Sequence, residues 1–300
     1  MTRPNSEAPK PVLVLATIQN SSLFNERATT LTDQQSEHLD KVESELLRNF
    51  DVTRTTVSYQ GLDVLKRRFG TFWGSSLWAQ LLANIQQTRH RAFVEDQVGQ
   101  TWTTREKISN YGRAVAALIY KSAKPKFRES LDRLKVIETL LSDKHIYLWT
   151  YLVEQGAQGA LILEDDFAPH EDFTSGDISE VIANSVGSFD YVNLSRSFTF
   201  QKLGLPPQEE DYILDFIKTN TFCAYYISAK AAKAMIDILS HRPYLRTVGA
   251  DFLLHELNRE SETWKSLLLA NPPIRHGTLD NRKRSTIGTA LRASPFLRKR

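Results

Sequence analysis

The distribution of apolar residues along the chain predicts alternating strands and helices. The apolar run from Val12 to Ile18 is typical of a buried strand, and Asp33–Phe50 carries its apolar residues at helical spacing. Val52–Tyr59 is rich in β-branched residues, which favour a second strand. Because a strand, a helix and a strand in this order indicate a βαβ unit, we predict an α/β fold built on a parallel sheet.

Helical patterns dominate the stretch from Leu62 to Gln155. The apolar spacing there predicts helices over Phe72–Val98, Thr104–Lys121 and Lys126–Glu154. We therefore expect a large helical insertion, residues 62–155, in the first half of one domain that covers residues 11–280. Whether this insertion also forms a homodimer surface stays open at this stage.

The second half of the chain returns to short apolar runs. Three further strands are predicted, at Ala160–Leu163, Ser188–Leu194 and Thr221–Ile227. Ser228 is a favourable cap for a helix over Ala229–Leu239, and a short helix is predicted over Val248–Leu257.

Composition is ordinary for a soluble globular protein, since 41% of the 300 residues are hydrophobic and 24% are charged. The single cysteine, Cys223, excludes an intramolecular disulfide and gives no support for a cysteine-rich zinc site. No apolar run has the length of a signal peptide core or a membrane span. These features predict a cytoplasmic protein.

Positive charge is concentrated at the end of the chain, although the net charge is only +3. Residues 281–300 contain arginines and lysines without any acidic residue, interleaved with Leu291, Phe296 and Leu297. This pattern predicts a peripheral contact with an anionic membrane surface, and a solvated end is the alternative. Residues 1–10 are polar and are expected to form a disordered leader, and we do not expect nucleic acid as a partner.

Three adjacent carboxylates, Glu164, Asp165 and Asp166, follow the predicted strand Ala160–Leu163. In open α/β sheets, ligands bind outside the carboxyl ends of the strands. Hard oxygen donors at such a position suit Mg²⁺ or Mn²⁺, which are usually shared with substrate phosphates. The alternative is a solvated acidic loop. Because adjacent residues of a strand alternate in direction, we expect Glu164 and Asp166 to face the same side.

Several segments together resemble glycosyltransferase family 25, which includes bacterial lipooligosaccharide galactosyltransferases and the collagen galactosyltransferases. Leu140–Trp149 resembles the SH-x-x-x-W segment of this family, at the family's spacing from the acidic cluster, although Lys144 stands where the family usually has serine. The other similar segments are Leu161–Asp166, Thr221–Met235, Gly249–Leu253, Pro272–Ile274 and Ser285–Ile287. The order and spacing of the segments are the specific part of this resemblance.

The resemblance implies a GT-A-like, Rossmann-like α/β sandwich that binds a nucleotide-sugar with Mn²⁺ or Mg²⁺. It implies an inverting hexosyltransferase that moves galactose or glucose from a UDP-sugar to a glycan or glycolipid hydroxyl. The expected setting is envelope polysaccharide or lipooligosaccharide synthesis at the inner face of the membrane.

The resemblance also suggests roles for the reacting groups. Asp166 is the first expected metal ligand, and His276 is a candidate third ligand or an exposed loop histidine. Single-step inversion needs one base to take the proton of the acceptor hydroxyl, and Asp251 is the candidate. A helix N-cap is the alternative role for Asp251.

Other polar residues are candidates for binding the donor. Glu164 or Asp165 is expected to orient the ribose or a water molecule, and His145 to contact the nucleotide or the acceptor. Gln19 and Arg27 follow the first strand and are candidates for the base or the diphosphate. A structural histidine on a helix face is the alternative for His145.

Two other functions remain open from the sequence. A nucleotidyltransferase of similar fold needs a glycine-rich phosphate loop, and Thr17–Phe24 contains no glycine. A non-catalytic nucleotide-sugar-binding module is the second alternative, which the presence of all the acidic residues disfavours.

Overall fold

The computed structural model describes residues 9–19, 31–58, 101–123, 141–195, 211–219, 222–247, 249–260 and 262–276, with isolated positions between 81 and 96. Several predictions fall outside these residues. They concern Arg27, most of the helix Phe72–Val98, the first part of the helix Lys126–Glu154, and the tail 281–300.

The predicted βαβ opening is confirmed. Strand β1 covers Val12–Gln19, helix α1 covers Asp33–Leu46, and strand β2 covers Asp51–Ser58. Thr32 caps α1 by accepting from the backbone N–H of Gln35. Helix α1 ends before the predicted Phe50, because the chain turns there to place Phe50 in the core ahead of β2.

The middle of the chain contains helix α2, Thr104–Ala123, and the helical residues 141–154, here called α3. Strand β3 covers Gly159–Glu164, and β4, Phe167–Pro169, follows after a two-residue turn. The helices predicted at these positions and the third strand are therefore confirmed where the structure describes them.

The second half contributes the remaining elements. They are α4 (Ser175–Ser185), β5 (Tyr191–Asn193), β6 (Tyr212–Leu214), β7 (Ala224–Ser228), α5 (Ala229–His241), α6 (Ala250–Leu253), β8 (Ser266–Leu268) and β9 (Ile274–His276), with 3₁₀ turns at Pro243–Thr247 and Leu254–Arg259. Ser228 caps α5 as predicted, through a bond from the N–H of Ala231.

Several predicted boundaries in this half are wrong, and β7 begins at Ala224 rather than at the predicted Thr221. Strand β5 begins at Tyr191 rather than at Ser188, because Gly187 has a positive φ of 78° in the turn that ends α4. The helix predicted over Val248–Leu257 is a single α-turn, Ala250–Leu253, that tightens into a 3₁₀ turn.

Seven strands form one sheet in the order β2-β1-β3-β7-β5-β8-β6. Strands β1, β2, β3, β5 and β8 run in the same direction, whereas β7 and β6 are antiparallel to their neighbours. The parallel sheet predicted from the βαβ opening is confirmed for β1, β2 and β3, whereas the antiparallel β7 and β6 were not foreseen, since a strand's own apolar pattern does not encode its direction. The class is a mixed α/β fold, which is compatible with a Rossmann-like arrangement.

Both faces of the sheet are buried. Along β1, Val14 and Ile18 belong to the core on the side of α3 and α5, and Leu13 and Leu15 belong to the core on the side of α1 and α4. Each face of the sheet is therefore covered by helices, which explains the unbroken apolar run of β1. Across the described part of the chain, no helix has both the length and the apolar character that crossing a membrane requires.

Candidate functional site

The acidic cluster lies at the carboxyl end of β3, beside the carboxyl end of β1. Ile18 of β1 pairs with Glu164, the last residue of β3. Residues 165 and 166 form the turn into β4, so the strand alternation stops at Glu164. Glu164 contacts His145 on one face of the sheet, whereas Asp166 contacts Cys223 in the core of the other face. The prediction that Glu164 and Asp166 share a side is therefore wrong.

Glu164 is the exposed end of a buried hydrogen-bonded chain. Its Oε1 lies 2.9 Å from Nε2 of His145, and Nδ1 of His145 lies 2.8 Å from the hydroxyl of Tyr225. Nε1 of Trp149 donates to the same hydroxyl at 3.2 Å. His145 is fully buried on α3, and burial followed by the charge of Lys144 lowers the pKa of His145 to about 3. The imidazole is therefore neutral at physiological pH.

Lys144 is a buried cation at the same edge of the sheet. Its Nζ donates to the carbonyl oxygen of Gln19 at 3.1 Å, at the end of β1. Burial lowers the pKa of Lys144 to about 8, although the charges of Asp165 and Glu164 act to raise it. Lys144 therefore donates to the backbone of Gln19, and its charged form is favoured by the charges of the acidic turn.

Asp166 lies beside the thiol of Cys223. Burial raises the pKa of Cys223, and the charge of Asp166 raises it further, followed by Glu164 and a hydrogen bond to Asp166. The thiol is fully buried and therefore stays protonated. Cys223 is therefore a buried thiol in the core on the side of α1 and α4.

A residue that the sequence reasoning missed, Gln35, fixes the backbone of the acidic turn. Its Nε2 donates to the carbonyl oxygens of Asp165 at 2.9 Å and Phe167 at 2.7 Å. Its Oε1 accepts from the backbone N–H of Thr32 at 2.9 Å, which completes a capping box at the start of α1. The T-x-x-Q sequence predicts the capping box, but no local signal predicts the bonds to the turn.

Strand β9 brings His276, the other predicted metal ligand, next to the acidic turn. His276 ends β9 and pairs with Phe167, the residue that follows Asp166. The backbones of Asp166 and His276 are therefore neighbours although they are far apart in sequence. The side chain of His276 lies outside the described part of the structure.

The candidate base, Asp251, is the second residue of α6. Its backbone lies in the first helical turn, and its side chain is outside the described part. Two other carboxylates in this half of the chain already have hydrogen-bond or ion-pair partners. Asp190 accepts from Ser228 and from the N–H of Lys265, at the end of the sheet opposite Glu164, and Glu256 is buried between Arg242 and Arg259.

The acidic turn supplies carboxylate oxygens, which are ligands of the type that Mg²⁺ and Mn²⁺ prefer. Among the described side chains, no three His, Cys, Asp or Glu residues form a ready-made metal cage. Mg²⁺ and Mn²⁺ commonly bind one or two carboxylates and complete their shell with substrate phosphates and water. The carboxylates of the turn are oxygen donors of this kind, and Asp166 is next to the strand that carries His276.

The chain is therefore a mixed α/β protein with a cluster of carboxylates at the carboxyl ends of the parallel strands β1 and β3. No protein-family model matches the chain, and no curated protein matches it closely enough to identify a relative. The function is therefore argued from the site itself.

Proposed function

We propose that the chain is a metal-dependent inverting glycosyltransferase that uses a UDP-sugar donor. The observation that carries this proposal is the acidic turn Glu164–Asp166 at the end of a buried parallel strand, beside the end of β1. In doubly wound sheets this edge is where nucleotides bind. The motif resemblance to glycosyltransferase family 25 and a GT-A-like arrangement are consistent with the same site.

In this proposal Asp166 and His276 hold a divalent cation, because β4 and β9 bring their backbones together. When bound, Mn²⁺ or Mg²⁺ neutralises the charge that develops on the diphosphate leaving group. Asp166 is also in contact with the neutral thiol of Cys223, which adds no negative charge to the site.

Lys144 and Gln19 would form the opposite wall of the donor site. A buried ammonium group next to carboxylates offsets part of their mutual repulsion, and it also attracts an anionic diphosphate. Lys144 therefore holds the acidic turn in place before the donor arrives.

Asp251 would take the proton from the acceptor hydroxyl. Asn at this position keeps the size of the side chain but not its basicity, so we expect Asp251→Asn to lower turnover by about 10²-fold or more. Binding of UDP is expected to stay unchanged. A loss of UDP affinity as large as the loss of turnover would instead indicate a structural role for Asp251.

The proposal is tested with a panel of nucleotide-sugars, led by UDP-galactose and UDP-glucose. Release of UDP is measured with Mn²⁺ and with EDTA, with and without simple glycoside acceptors. We expect Mn²⁺-dependent release that Asp166→Ala abolishes. Asp237→Ala is the matched control, because Asp237 is an exposed carboxylate on α5 that pairs with Lys233.

UDP binding without turnover across the panel would favour the alternative of a non-catalytic nucleotide-sugar-binding module. Turnover that is equal in Asp166→Ala and in the intact chain would contradict the assigned metal position.

A further inference from the structure

We propose that His145 and Tyr225 form a buried relay whose role is to fix the carboxylate of Glu164 in the orientation that binds the donor nucleotide. This inference rests on the proposed function, because it assigns Glu164 to the donor site. In this scheme His145 is a positioning residue that does not touch the substrate.

The direction of every bond in the relay follows from its two ends together, because the indole N–H of Trp149 can only donate and the carboxylate of Glu164 can only accept. The indole Nε1 of Trp149 can only donate, so the oxygen of Tyr225 accepts from it. The hydroxyl proton of Tyr225 is then available to Nδ1 of His145. A neutral imidazole that accepts at Nδ1 carries its proton at Nε2, and this N–H points to Oε1 of Glu164.

The relay is closed to solvent at every position except the last. Trp149, His145 and Tyr225 are fully buried, whereas the side chain of Glu164 keeps 16% of its exposure. The ring of Phe222 stacks on Tyr225 at 4.4 Å between centroids and meets the edge of His145 at 4.8 Å. The imidazole is therefore packed against an aromatic ring and has a polar contact at each of its two nitrogens.

A buried polar chain is not needed for stability, because apolar side chains of similar volume often stabilise a core equally well or better. A carboxylate that is already oriented loses less conformational freedom when a ligand binds. The role of the relay is therefore to preorganise the carboxylate of Glu164 at the edge of the sheet.

The test is a double-mutant cycle on UDP binding, measured by calorimetry in the presence of Mn²⁺. Tyr225→Phe removes the hydroxyl that orients His145, and we expect UDP to bind about fivefold more weakly. Tyr226→Phe is the matched control on the same strand, since the Tyr226 hydroxyl is buried in the opposite core with no hydrogen-bond partner among the described residues. We expect this control to leave the affinity unchanged.

The second arm of the cycle separates positioning from a general loss of fold. If Tyr225 acts through Glu164, Tyr225→Phe has no further effect on UDP affinity in a Glu164→Ala background. An equal loss in both backgrounds, or no loss in either, would overturn the relay. ¹⁵N NMR of the histidines should also show His145 as the Nε2–H tautomer, and an Nδ1–H signal would contradict the proposed direction.

Failure of the proposed function gives a different result. In that case the intact chain does not bind UDP at all, and the positioning role falls with it. If the intact chain binds UDP but the effects of Tyr225→Phe and Glu164→Ala on UDP affinity are additive, only the relay is overturned.

Discussion

The side-chain amide of Gln35 donates a hydrogen bond of 2.9 Å to the backbone carbonyl of Asp165, across 130 residues of sequence. The same nitrogen donates to the carbonyl of Phe167, so both sides of the acidic turn are tied to the start of α1. The geometry of the carboxylate cluster therefore depends on a neutral side chain in another element.

This relationship predicts a specific effect of Gln35→Glu. The new carboxylate can still accept in the capping box, but it places an oxygen against two buried carbonyl oxygens. We expect the free energy of unfolding to fall by about 2 kcal/mol, measured by urea titration. Gln34→Glu is the matched control, because Gln34 is the exposed neighbour on the same helix. Equal stability of the two variants would contradict the bonds to the turn.

A second prediction concerns Gly159 at the start of β3. A Cβ at this position would lie 2.5 Å from Cε2 of Tyr226 on the adjacent strand. We expect Gly159→Ala to lower the free energy of unfolding by about 1–3 kcal/mol. Gly112→Ala is the control, since no described atom lies within 4 Å of that Cβ on α2, and it should stabilise by up to about 1 kcal/mol.

If Tyr226 is the cause of this cost, Tyr226→Leu should recover part of the stability in the Gly159→Ala background. A loss that persists in full in the double variant would show that the clash does not explain the glycine.

The third prediction is a pH dependence of stability that arises from His145. The ordinary pKa of histidine is 6.5, and burial lowers that of His145 to about 3. Between these values the unfolded chain binds a proton that the folded chain excludes, so stability falls as the pH falls below 6.5. The contribution of this one group is about 2 kcal/mol between pH 7 and pH 5.

Urea titrations at pH 7 and pH 5 measure this effect. His145→Gln should flatten the dependence, although it lowers stability at pH 7 because it disrupts the contact with Glu164. His241→Gln is the control, since His241 is exposed at the end of α5. An unchanged slope in His145→Gln would mean that other groups cause the acid sensitivity.

The elements with strong local signals were predictable from the sequence. The apolar run of β1 and the helical spacing of α1 identified those elements, and Ser228 identified the start of α5. The position of the acidic cluster at the end of β3 was also predictable, because the abrupt change from apolar to acidic residues is visible in the sequence alone.

The arrangement of the site depends on contacts between distant residues, which the sequence does not encode locally. Tyr225 and His145 are separated by 80 residues, and β7 was not predicted to run antiparallel between β3 and β5. Asp166 and Glu164 lie on opposite faces of the sheet because β3 ends in a turn, and an alternating sequence pattern cannot reveal where a strand ends. These features follow from how the sheet is assembled.

In the proposed function, the acidic turn binds a nucleoside diphosphate together with a divalent cation. Calorimetric titration of the full chain with UDP tests it most directly, with Mn²⁺ or with EDTA. We expect binding that requires Mn²⁺ and that Asp166→Ala weakens by about tenfold or more, while Asp237→Ala binds normally. UDP binding of equal affinity in EDTA, or in Asp166→Ala, would contradict it.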